Sequence, residues 1–372
     1  MKKFAVMGVL ILIITCLIVF AYYRMTIGFV SLFNKKERKD YSRKGRAVFL
    51  VISVMLAALS VNFFSAVGIV LAHFIVFASV MQLVNVIVRF LFVDKKLKVW
   101  NVIVKSLVIP VILTAIFIIY GYYNIHNVIK TEYTVYTNEV TEEYDIVFIA
   151  DIHYGTVLTE DEIDEIFAQI SEENADVIIL GGDMVDESTK KEDIIMIYDK
   201  LSELKNELGI IHVEGNHDRQ KYSGKPTLSD EEYEEYKLSS TMNFLEDNVI
   251  QVNNELVIAG RLDVSEEGRL DAEELLKGID ESKFVIVADH QPREYEKLQK
   301  AGANLVLSGH THAGQIFPAG LFTTIIGGAE QNYGLKMEKN MPAIVTSGLT
   351  GWGFPIRTSK HCEYVVVHIK PE

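Results

Sequence analysis

Histidine, aspartate and asparagine recur in this chain at the ends of short apolar runs, in an order suited to hydrolytic metal chemistry. The runs close on "ADIH" (Asp151, His153), "GGD" (Asp183), "GNHD" (Asn216, His217, Asp218), "DHQP" (His290) and "GHTH" (His310, His312). Residues two apart on an extended segment share a side, so Asp151 with His153, and His310 with His312, can each aim two donors into one cleft. Oxygen and nitrogen donors without cysteine suit Mn²⁺, Fe or Zn²⁺ better than Mg²⁺ or Ca²⁺. Asp151, His153, Asp183, Asn216, His290, His310 and His312 are too many for one tetrahedral zinc. They fit two metals roughly 3.5–4 Å apart, a spacing that clamps the attacking and leaving oxygens of an in-line displacement.

Taken singly, each motif is weak. A "GGD" after a strand is usually turn chemistry, "GNHD" alone reads as a loop, and a lone His290 reads as a core histidine. Five such pieces in order, each ending an apolar run, exceed what packing requires. Gly181, Gly182, Gly215 and Gly309 suit backbone packed closely around a site.

These residues need elements to hold them. "YDIVFIAD", "DVIILGGD", "GIIHVEGNHD", "LVIAG", "KFVIVADHQP", "NLVLSGHTH" and "EYVVVHI" are apolar runs of strand length. Between them, "TEDE" from Thr159 is a capping box followed by Ile163, Ile166, Phe167 and Ile170 at helical spacing. Ile194, Ile197, Leu201, Leu204 and Leu208 mark a second helix, and Ser229 with Glu232 marks another helix start. Such alternation predicts an α/β domain over residues 143–372, with buried sheets covered by helices. Ligands of such sheets gather beyond the carboxyl ends of the strands.

The order D-x-H, GD, GNHD, H, GHxH resembles the calcineurin-like metallophosphoesterases, from about Tyr144 to Ile369. "GHTHAGQ" with "GWGFPIRT" (Gly351–Thr358) is similar to the bacterial subgroup that carries N-terminal membrane segments. The resemblance implies a sandwich of two mixed β-sheets flanked by helices, and two divalent ions (Mn, Zn or Fe). It implies Asp151, His153 and His312 on one metal, Asn216, His290 and His310 on the other, and Asp183 bridging both. A hydroxide between the metals would attack phosphorus. His217 would stabilise or protonate the leaving oxygen, with Asp218 either orienting His217 or capping a turn. The histidine motif before GHxH, "DHQP", keeps His290 and Pro292 in place.

Other residues carry weaker readings. His212 reads as structural, His73 and His126 as incidental, and His361 and His368 receive no role. Arg357 meets either a substrate phosphate or a salt-bridge partner. Phe317, Leu321, Phe322, Ile325 and Ile326 pack in a second sheet or form an apolar wall for a lipid tail.

The first 130 residues differ from the rest. They hold 16 of the 36 Lys+Arg but 3 of the 50 Asp+Glu, leaving 20 basic against 47 acidic residues in the remainder. That acidity argues against nucleic acid as a partner. Cys16 and Cys362 suggest no disulfide framework. Phe4–Tyr23 is uncharged and long enough to cross a bilayer, and Ala47–Val88 carries no charge over about twice the length of one crossing. The expectation is an all-α transmembrane region of about four helices over 1–125 (near 4–23, 47–66, 69–92 and 107–123), then a linker over 126–142. The basic loop Arg24–Arg46 and the loop with Lys95, Lys96, Lys98 and Lys105 belong in the cytoplasm, which places the second half outside it.

The expected whole is a multi-pass membrane phosphoesterase acting on mono- or diesters of membrane or cell-envelope compounds, lipid-linked ones included. A metal-binding sensor on the same fold and a cytoplasm-facing nucleotide phosphodiesterase are the alternatives.

Overall fold

The computed structural model describes residues 2–62, 65–92, 97–320 and 328–372. They form two compact units, Met1–Tyr120 and Gly121–Glu372.

The first unit is helical: α1 (Lys2–Asn34), α2 (Arg43–Ser60), α3 (Ala66–Leu91), α4 (Lys98–Ser106) and most of α5 (Val108–Ile125). With no proline after Tyr23 to stop it, α1 continues through Arg24 to Asn34, so the helix contains the expected 4–23 and runs beyond it. The long uncharged run divides after Ser60. Ser65 caps α3 by accepting from Gly68 N at 3.0 Å, and a Cβ on Gly68 would stand 1.9 Å from the Asn62 carbonyl oxygen, so only glycine fits there. Among the described residues, three helices are long and apolar enough to cross a membrane: Leu12–Asn34, Ala66–Leu91 and Val108–Ile125. The segment expected at 47–66, α2, opens on Arg43, Lys44 and Arg46, which shortens its apolar part. Buried within it and its neighbours, Tyr22, Met25, Ala57, Ile75 and Ala78 pack together. His73 Nδ1 bonds to the Ile69 carbonyl of its own helix at 2.8 Å.

The second unit contains β1 (Val128–Thr137), β2 (Tyr144–Ile149), α6 (Glu160–Glu172), β3 (Ala175–Leu180), α7 (Lys191–Ser202), β4 (Asn206–His212), α8 (Asp230–Ser239), β5 (Asn243–Phe244) and β6 (Asn248–Gln251). There follow β7 (Leu256–Gly260), α9 (Ala272–Leu275), β8 (Phe284–Ala288), α10 (Tyr295–Lys300), β9 (Leu305–Ser308), β10 (Gly334–Glu338), β11 (Met341–Val345) and β12 (Cys362–Pro371). They build two mixed six-stranded sheets, ordered β1-β12-β2-β3-β4-β5 and β10-β11-β9-β8-β7-β6.

Strand alternation explains the layers. Ile146 and Phe148 of β2 face Ile258, Ile286 and Leu307 of the other sheet in one apolar layer. Val147 and Ile149 point the opposite way, onto Ile163, Ile166 and Phe167 of α6 and Ile197 and Leu201 of α7. Val285, Val287 and Val306 likewise meet Leu275 and Leu298. Sheets covered on both faces are why the strands read as unbroken apolar runs.

The expected caps form. Thr159 accepts from Glu162 N while the Glu162 side chain returns to Thr159 N, and Ser229 and Glu232 repeat the device. Two boundaries differ from expectation. The second helix stops at Ser202, and Leu208 lies in β4, where Asn206 Oδ1 accepts from Gly209 N at 2.8 Å across a register shift beside β3. The segment expected as linker contains β1, paired in parallel with β12 from Val128 to Thr137. Its Thr–Tyr–Val content favours an extended chain.

Candidate active site

All the donor-type residues lie just past strand ends on one edge of the sandwich. Asp151 and His153 follow β2, Asp183 follows β3, Asn216 and His217 follow β4, His290 follows β8, and His310 and His312 follow β9. Both sheets contribute. The convergence does not come from extended geometry, however. Asp151 (φ 56°), His153 (φ 44°), Asp183 (φ 58°), His310 (φ 70°) and His312 (φ 49°) are all left-handed. Such backbone is costly for residues with a Cβ and clusters at functional sites. Here it turns each side chain back over the strand ends, where Asp151 N and His153 N are tied to the Gly182 and Asp183 carbonyls at 2.9 and 3.0 Å.

The glycines do what close packing requires. A Cβ on Gly215 would stand 2.2 Å from Asp183 Oδ1, and one on Gly182 (φ 90°) would stand 2.5 Å from Gly215 N.

The expected ligands form two donor groups, each with its ligand atoms within 4.8 Å of one another: Asp151, His153 and His312, and Asp183, His290 and His310; Asp186, Glu187 and His217 form a third such group. His153 Nε2 lies 3.3 Å from His312 Nε2, and His312 Nε2 lies 3.7 Å from Asp151 Oδ1. Asp183 Oδ2 stands 3.0 Å from His290 Nε2 and 3.7 Å from His153 Nε2, between the two groups. His290 Nδ1 meets the Gly181 carbonyl at 2.7 Å, which turns its other nitrogen toward the Asp183 carboxylate. Two acceptors that close need a proton or a cation between them. Buried Asn216 Oδ1 has no hydrogen-bond partner either. Donor types, orphaned lone pairs and burial therefore fit divalent metal ions.

The electrostatics agree. Burial pushes His153 down to about 3 and His310 down to about 4, so both present neutral imidazole, the ligating form. Burial drives Asp151 up to about 7 against the favourable charge of His290. Burial opposes ionisation of both Asp183 and His290, but their mutual attraction holds the first well below and the second well above its ordinary value.

His217 sits beside the groups, its ring centroid 5.2 Å from that of His153, and its backbone N–H donates to Asp183 Oδ1 at 2.8 Å. Its Nδ1 meets Glu187 Oε2 at 2.7 Å. Burial works against the charged imidazole, yet this bond and the Asp183 charge raise its pKa. Asp218 is the correction. It does not orient His217, because its oxygens accept from the backbone of Asp183 (2.8 Å), Met184 (2.7 Å) and Gly215 (2.7 Å) and from the Tyr198 hydroxyl (3.1 Å). It is a turn cap, and Glu187 takes the role assigned to it. The missed signal was an acidic residue four positions beyond Asp183 in the same loop.

Among the described residues Arg357 pairs with carbonyl oxygens in place of the expected salt-bridge carboxylate. It is fully buried, and its guanidinium donates to the carbonyls of His312 (2.9 Å) and Thr350. Leu321, Phe322, Ile325 and Ile326 lie outside the described residues.

A family model for the calcineurin-like phosphoesterase domain matches residues 144–314. An uncharacterized metallophosphoesterase of Aquifex aeolicus is 32% identical over 248 residues, which cover 64% of this chain and 90% of that one. The chain belongs to the calcineurin-like metallophosphoesterase family. That is a family of hydrolases acting on phosphoesters. An uncharacterized metallophosphoesterase of Helicobacter pylori is 31% identical over 257 residues, 65% of this chain and 64% of that one. This metallophosphoesterase chain thus spans a little under two-thirds of the length of that relative. It is also 25% identical over 287 residues to a Danio rerio transmembrane protein with metallophosphoesterase domain, covering 72% of this chain and 63% of that one.

Proposed function

We propose that the chain is a membrane-anchored phosphoesterase that hydrolyses phosphate mono- or diesters with two divalent metals. The observation that carries this reading is Asp183, whose Oδ2 lies within 3.0 Å of His290 Nε2 and 3.7 Å of His153 Nε2, so one carboxylate can serve both donor groups. Asp151, His153 and His312 hold one metal; Asn216, His290 and His310 hold the other. Mixed oxygen and nitrogen donors support Mn, Zn or Fe. When bound, such ions supply Lewis acidity and a nucleophile ionised near neutral pH. The chain supplies the remainder: His217, its Nδ1 held by Glu187, delivers a proton from Nε2 to the leaving oxygen.

The apolar helices support integral, multi-pass attachment to the cell membrane. Cytoplasmic basic loops then carry the catalytic unit to the outer side, where membrane or envelope phosphoesters, lipid-linked ones included, are the substrates. The test is hydrolysis of bis-p-nitrophenyl phosphate by the full-length chain in detergent with Mn²⁺. His217→Ala should lose at least about 100-fold in kcat while keeping its metal. Turnover unaffected by that substitution would overturn the assignment. Protease attack on the catalytic unit in intact cells tests its side of the membrane.

A further inference from the structure

We propose that Trp352 and Tyr222 form the leaving-group subsite of this centre and select esters whose leaving alcohol presents a flat ring; the inference rests on the phosphoesterase reading above. Two aromatic rings stand close to His217. The Tyr222 centroid lies 5.3 Å away at an interplanar angle of 56°, and the Trp352 centroid 5.7 Å away at 41°. Both rings stay open to solvent, at 63% and 37% exposure, so core packing does not account for them.

The two rings reach His217 from separate segments. Tyr222 follows Asp218 by four residues in the loop after β4, and Trp352 lies between β11 and β12. Gln315 holds the Trp352 backbone. Gln315 Oε1 accepts from Trp352 N at 2.9 Å, while Gln315 Nε2 lies 3.1 Å from the carbonyl oxygens of Trp352, Phe354 and Ile356. Gln315 ends the same loop that carries His310 and His312. One loop thus contributes donors to both metal groups and also holds the backbone segment that carries the indole beside the proton donor. An alcohol that takes its proton from His217 departs beside these two rings, where a ring stacks and a short alkyl chain finds no matching surface.

The experiment uses the metal-loaded full-length chain and two competitive inhibitors in which a methylene replaces the ester oxygen, benzylphosphonate and ethylphosphonate. The wild type should bind benzylphosphonate about tenfold more tightly. In Trp352→Ala and in Tyr222→Ala that ratio should fall to within about twofold of unity, and Trp352→Phe, which keeps a ring, should retain most of it. Equal inhibition in the wild type, or a ratio unchanged in both alanine variants, would overturn the subsite. Failure of both phosphonates to inhibit would instead overturn the phosphoesterase reading on which it rests.

Discussion

The Nδ1 of His217 and the Oε2 of Glu187 are joined at 2.7 Å. That bond holds the ring's orientation and leaves Nε2 as the nitrogen not engaged by Glu187. Glu187→Gln should therefore lower kcat by about tenfold with little change in KM. Combined with His217→Ala it should add almost nothing, because residues acting as one unit are not additive. Steady-state kinetics of the two single variants and the double variant check this.

Asp218 satisfies three buried backbone N–H groups at the turns after β3 and β4. Asp218→Ala strands them together and should destabilise the catalytic unit by about 3 kcal/mol. Denaturant unfolding measures the loss, and a variant as stable as the wild type would contradict the capping role.

His212 is buried among Tyr198 and Phe244, and neither ring nitrogen has a hydrogen-bond partner. Burial lowers its pKa from 6.5 to about 3. The unfolded chain therefore binds a proton that the folded chain refuses, and stability falls as pH drops from 6.5 toward 3. This single group should cost about 2 kcal/mol at pH 5 relative to pH 8. His212→Leu should remove that part of the slope and add about 1 kcal/mol at pH 8. Unfolding curves of both proteins at the two pH values decide it.

Gly215 leaves no room for a methyl group, since its Cβ would meet Asp183 Oδ1 at 2.2 Å. Gly215→Ala should push Asp183 out of place and weaken metal binding by about 10- to 100-fold. Titration of the metal-depleted protein with Mn²⁺ reads the change directly.

The strands and the site were legible for one reason: both faces of each sheet are buried, so each strand is an unbroken apolar run and its end stands out. The donors at those ends followed directly. The α6 and α8 starts were equally plain, because a capping box is a local device. What escaped was non-local. The Asp218 partners are backbone groups of a different loop, and Arg357 reaches the His312 carbonyl across 45 positions. Glu187 bonds to His217 only once β3 and β4 lie side by side. The role of β1 depended on β12, which lies more than 200 residues further along. The first helix outran its expected end because a lone Arg24 does not stop a helix that contains no proline.

The central claim is that Asp183 ties two donor groups into one two-metal centre. Elemental analysis of the full-length wild type and Asp183→Asn, purified from Mn²⁺-supplemented medium, tests it most directly. About two metal ions per wild-type chain, falling to one or fewer in the variant with its fold intact, is the predicted result. At most one ion in the wild type, or a variant that keeps both, would contradict the account.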